Sequence, residues 1–187
     1  MGIKNLQDHP SSKTLALATA AKWRYWLPQP PRLERPLGQI PPDFARWDVT
    51  HHQTVRLANW RGKQPVVLVF CRLTAAIAYS PQHHTHLVAM NKAYAQFRNA
   101  GAEVLAVSPQ PQRPTQAVVD DLGLSLPLLS DPTGDVFRAY RTGQALNAPL
   151  PAQFLLDAQG RLRYCHLFSL LHPVAPPEAL LAALEQL

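Results

Sequence analysis

The apolar positions of this 187-residue chain follow two alternating patterns. "PVVLVF" (65–70) and "AEVLAVS" (102–108) are nearly continuous apolar runs rich in β-branched residues, as strands buried on both faces require. Between them Leu87, Met90, Tyr94 and Phe97 recur three, four and three residues apart. That spacing predicts an amphipathic helix from Pro81 to about Asn99, ended by Gly101. "TQAVVDDLGL" predicts a second helix closing near Gly123, and "SDPTGDVFRAYRTG" a turn and a short helix. "TVRLANWRGK" reads as a short strand and turn, with Gly62 as the turn residue. "PAQFLLDAQGRLRYCHLF" predicts a β-hairpin turning at Ala158-Gln159-Gly160, and "PPEALLAALEQL" a closing helix with proline at its start. The succession strand, helix, strand, helix, hairpin, helix predicts an α/β fold. Its central sheet is expected to be mostly parallel, with helices on both faces and a C-terminal hairpin and helix.

Upstream of Gly38 the pattern breaks. "SSKTLALATAAKW" predicts a short helix capped by Ser11 or Ser12. "RYWLPQPPRLERPLGQIPP" is too rich in proline for helix or sheet and is expected to run extended over a surface. Residues 1–37 are therefore read as an N-terminal arm and 38–187 as the domain. Charge sharpens this division. The formal net charge is +6, and residues 1–36 hold Lys4, Lys13, Lys22, Arg24, Arg32 and Arg35 against only Asp8 and Glu34. Trp23, Tyr25 and Trp26 lie among these cations, and such aromatics are costly to leave in water. Two readings stay open: the arm docks on a partner, or it wraps its own domain. No recognition helix or RNA module accompanies the basic residues, so an acidic protein is the expected partner rather than nucleic acid. No apolar run reaches the length of a membrane span. "KTLALATAAKW" has a short apolar core and follows Asp8 and Pro10, so it is not read as a leader, and a cytoplasmic location is expected.

Candidate chemistry centres on "FCRLTAAIAYSPQHHTHL" (70–87), where a buried strand ends, a loop follows and Ser80-Pro81 opens a helix. Serine before proline is a good N-cap, worth roughly 1 kcal/mol to a helix. Cys71 and Cys165 are the only cysteines, which argues against a secreted disulfide framework. Cys71 falls on the same strand face as Val67 and Val69 and reads as a small core residue. His83 and His86, three apart, offer the minimum spacing for a metal pair. No carboxylate or cysteine at ligand spacing joins them, so no metal is expected. A hydrolase built on Ser80 and a neighbouring histidine lacks a Gly-x-Ser-x-Gly elbow. Arg72 either binds an anion or braces the loop. Glycine signatures for phosphates and dinucleotides are absent, and no cofactor is expected.

"IPPDFARWDVTHHQTVRLANWRGKQPVVLVFCR", "GAEVLAVS", "LGLSLPLLSDPTGDVFRAY" and "LPAQFLLDAQGRLRY" follow one another in an order that resembles the peroxiredoxin-like AhpC/TSA (redoxin) family. The resemblance runs from about Gly38 to Leu171 and is strongest to members common in cyanobacteria. It implies a thioredoxin-like fold, with Pro151 as a cis-proline facing the active loop, and it implies antioxidant chemistry. The family's loop reads approximately Tyr-Cys-Pro-x-Cys. Here the matching residues are Tyr79-Ser80-Pro81-Gln82-His83, and no cysteine lies between Arg72 and Tyr164. Peroxide reduction needs a thiolate, whose pKa a helix N-terminus depresses, and a sulfenic acid that a second thiol resolves. Serine and histidine cannot follow that route. In the family's topology Cys165 lies two strands from Cys71, and strands are ~4.8 Å apart, so a direct disulfide is out of reach.

The expected function is therefore that of a redox-inactive binding or structural subunit. It would dock through Lys22, Trp23, Arg24, Tyr25, Trp26, Arg32 and Arg35 on a larger acidic assembly. A cyanobacterial source would make a phycobilisome or a photosystem the host. The alternative is a thiol-dependent oxidoreductase using Cys71 or Cys165.

Overall fold

A computed structural model describes residues 28–33, 36–73, 84–146, 148–172 and 174–187. Strand β3 (Val66–Phe70) is buried at every residue, as its unbroken apolar run requires. Helix α1 (Thr85–Asn99) turns Leu87, Met90, Tyr94 and Phe97 inward, the face that their spacing predicts. It leads into β4 (Glu103–Ser108), and α2 (Gln112–Leu122) follows, ended by Gly123 in the left-handed region that glycine adopts freely. After β5 (Leu128–Ser130) and the short helix α3 (Asp135–Ala139) come two-residue strands β6 (Gln144–Ala145) and β7 (Ala148–Pro149). The hairpin β8 (Ala152–Leu156) and β9 (Leu162–Leu167) leads to α4 (Pro177–Leu184), which has proline in its first turn. Ahead of β3, β1 (Ala45–Asp48) and β2 (Gln53–Arg56) form a hairpin.

Among the described residues the main sheet has seven strands, in the order β2-β1-β5-β4-β3-β8-β9. Its expected mostly parallel character needs correction: only β3–β4 and β4–β5 pair in parallel, and the remaining neighbours run antiparallel. The connections explain the difference. A helical crossover returns the chain in the same direction, whereas the tight turns of β1–β2 and β8–β9 reverse it. Helices cover both faces, as expected. On one face α1, α2 and α4 pack Met90, Phe97, Val118 and Leu180 against Val67, Val69 and Leu155. On the other, Phe137 of α3 and Tyr140 pack against Leu68, Phe70, Leu105 and Phe154.

Candidate functional site at the carboxyl ends of the parallel strands

The parallel strands β3, β4 and β5 end at one edge of the sheet. Open α/β sheets hold ligands in the crevice beyond such carboxyl ends. At this edge β3 hands over to Cys71, Arg72 and Leu73, β4 to Pro109, and β5 to Asp131 and Pro132. Tyr79, Ser80, Pro81 and His83 fall outside the described residues, as do Lys22, Trp23, Arg24, Tyr25, Trp26 and Arg35.

Cys71 extends β3 by one hydrogen bond, its N–H donating to the Val107 carbonyl at 2.9 Å. The side chain is 6% exposed and lies in the core beneath α1, on the face of Val67 and Val69. Burial pushes the thiol up to about 12. Cys165, on β9 opposite Phe154, packs against the other face of the sheet, and burial pushes it up to about 11. Both cysteines are unpaired. The sheet itself separates them.

Arg72, just past the end of β3, reaches across to the β6–β7 hairpin. Its Nη2 donates to the Ala145 carbonyl at 2.9 Å, so it braces the β6–β7 hairpin. Pro151 is a correction: the described residues include no cis peptide bond, so Leu150–Pro151 is trans. Trans is the cheaper X–Pro isomer by about 0.5–1 kcal/mol.

His86, in the first turn of α1, comes down on a polar row that no period in the sequence marks. Gln153 is fully buried within β8, between Val69 on β3 and His166 on β9. Its Oε1 accepts the Ala175 N–H at 2.9 Å, and its Nε2 stands 3.5 Å from His86 Nε2. The amide thus links the start of α1 to the segment before α4. Burial, and secondarily the charge of His166, lower His86 to about 4, so its ring is neutral at physiological pH. Among the described residues no group of three His, Cys, Asp or Glu is placed to hold a metal ion. A glutamine inside the apolar run "AQFLL" was the available signal for this row.

The row predicts a pH dependence. Unfolded His86 takes up its proton near 6.5 and the folded form only near 4. The unfolded chain therefore binds more protons between these values, and stability falls as the pH drops from 6.5 through 4. His86→Gln is expected to lose less melting temperature than the wild type between pH 7 and pH 5. Parallel declines would remove His86 as a cause.

The described end of the arm lies on this same edge. Gln29 pairs antiparallel with Gln144, N–H to carbonyl in both directions at 2.8 and 2.9 Å. Arg32 N–H adds a bond to the Arg141 carbonyl at 3.1 Å, with the Arg32 side chain exposed. Gly143 permits the approach. A Cβ there would stand 2.6 Å from the Gln29 carbonyl oxygen and 2.7 Å from the Pro31 nitrogen, and its φ is +82°. Residues 28–33, the described part of the arm, thus lie against the domain. Between this foot and the domain lies an open trough of about 840 Å³.

Relatives give this geometry its context. The chain is 29% identical over 128 residues to thiol-disulfide oxidoreductase ResA of Geobacillus kaustophilus, covering 68% of this chain and 67% of that protein. It is 29% identical over 131 residues to chloroplastic peroxiredoxin Q of Triticum aestivum, covering 69% of this chain and 58% of the relative. It is 28% identical over 137 residues to putative peroxiredoxin ycf42 of Trieres chinensis, covering 68% and 65%. The mitochondrial 2-Cys peroxiredoxin of Plasmodium falciparum superposes with a TM-score of 0.68 at 18% identity, over 81% of this chain and 93% of that one. Peroxidoxin BcpB of Mycobacterium tuberculosis gives 0.67 at 20% identity, over 81% and 97%. These two likenesses establish the thioredoxin-like fold. The AhpC/TSA family model matches residues 37–165, from the end of the arm to Cys165 on β9, and the chain belongs to the AhpC/TSA family.

Proposed function

We propose that this chain is a peroxiredoxin-like subunit that has lost peroxidase chemistry and works by binding. The observation that carries the reading is the state of its thiols. No cysteine lies between Arg72 and Tyr164, and Cys71, next to that span, is buried with its thiol raised to about 12. A thiol so placed supplies almost no thiolate for attack on a peroxide. Residues 1–37 then act as an arm and 38–187 as the body. The foot of the arm rests on Gln144 and Arg141. The stretch from Lys22 to Trp26, with Arg32 and Arg35, supplies cations and aromatic rings for an acidic protein host. The host proposed is a large acidic assembly such as a phycobilisome or a photosystem. Two unpaired cysteines fit a reducing compartment such as the cytoplasm.

A second reading, a thiol-dependent oxidoreductase, draws on the names of the relatives and on Cys165, which is only half-buried. Peroxide consumption with a thiol reductant separates the two, measured on the wild type and on Cys71→Ser and Cys165→Ser. The expected result is no turnover above the reductant alone in any of the three. Turnover abolished by one substitution would identify a nucleophile and overturn the redox-inactive reading.

A further inference from the structure

Resting on the binding reading above, we infer that the trough between the arm and the domain is the seat of an extended acidic peptide segment of the partner. The trough's volume, about 840 Å³, far exceeds what a simple anion such as phosphate fills, a water's share of liquid being about 30 Å³. The charged side chains among its described lining residues are cations, Arg32, Arg138 and Arg141. Arg138 is partly balanced, because it donates to the Thr133 carbonyl at 2.7 Å and is paired with Asp135. Arg32 on the arm and Arg141 on the domain line the trough from its two sides, joined through the Arg32 N–H and the Arg141 carbonyl.

The walls favour a chain over a compact metabolite. Pro28 and Pro30 stand on the arm side, and Pro132 and Pro149 on the domain side. Prolines have no N–H, so these walls present apolar surface with no backbone donor left to satisfy. One wall is itself extended chain, held by the Gln29–Gln144 bridge. The site thus exists only while the arm is seated, which gives Gly143 a role: it lets the arm close enough to complete the second wall.

The test uses a fluorescein-labelled ten-residue Glu-Pro repeat and its Lys-Pro counterpart, titrated by anisotropy against the full chain at low salt. The Glu-Pro peptide is expected to bind and the Lys-Pro peptide not to, with affinity falling steeply as salt is raised. Arg32→Gln with Arg141→Gln is expected to weaken binding tenfold or more, while Lys92→Gln on the exposed face of α1 leaves it within twofold. Gly143→Ala, checked for fold by circular dichroism, is expected to weaken binding by unseating the arm. Equal binding by the double variant, or no binding by the wild type, would overturn the assignment. So would unchanged binding by Gly143→Ala, or displacement of the peptide by micromolar pyrophosphate, which would mark a small-anion site instead. Peroxide turnover of the same preparations reports separately on the redox-inactive reading. Turnover with peptide binding sinks only that reading; a silent enzyme without peptide binding sinks only the trough.

Discussion

Cys71 is expected to react with iodoacetamide about a thousandfold more slowly than an unperturbed cysteine in the native protein at pH 8. The thiol ordinarily titrates at 9.0, and burial raises it to about 12. Below both values the thiolate fraction falls tenfold for each pH unit by which the pKa rises, which sets the factor at about a thousand. The comparison is internal. Cys165, raised only to about 11 and half-buried on the edge strand, should label first, and both should label promptly in 6 M urea. Mass spectrometry of quenched time points reads the two rates. Native labelling of Cys71 as fast as that of a free thiol would mean that the strand end opens to solvent, and the redox alternative would regain its nucleophile.

Phe70→Ala is expected to cost about 3–5 kcal/mol of folding stability, the range for deleting a fully buried aromatic ring. Phe70 is the last residue of β3 and is completely buried. Its ring meets Phe137 at 5.0 Å and Phe154 at 5.5 Å, both edge to face, and Tyr140 at 5.1 Å. Tyr140 cannot readily move into the gap, because its hydroxyl donates to the Pro42 carbonyl at 2.9 Å. Single domains are stable by about 5–15 kcal/mol, so the loss is a large fraction of the total. Urea denaturation of the wild type, Phe70→Ala and Phe70→Leu measures it, with the leucine variant expected to lose less than half as much. A loss below about 1 kcal/mol in Phe70→Ala would show that the cluster collapses onto the vacated space.

The elements legible in the sequence are those with a strong local period. β3 and β4 are unbroken apolar runs, α1 repeats at helical spacing, and Gly123 and Gly160 mark their turns. β1 and β5 were not legible. "ARWD" alternates weakly and "LLS" is three residues long, and each is a strand because the other and its neighbours pair with it. The antiparallel share of the sheet was not legible for the same reason, since the β3–β8 contact joins segments far apart in the chain. At the candidate site, the burial of Cys71 was readable from strand alternation. The Gln153 row and the seating of Gln29 on Gln144 were not, as neither leaves a periodic trace.

Sequence alone determined that no thiol stands between Arg72 and Tyr164, and that this stretch opens on a strand buried on both faces. Those are matters of covalent identity and of side chains near one another in the chain. Tertiary structure alone decided that the sheet divides Cys71 from Cys165, that His86 is held neutral over Gln153, and that Arg32 and Arg141 share a trough. Desolvation and close approach depend on every group surrounding an atom, and here those groups come from residues as far apart as Gln29 and Gly143.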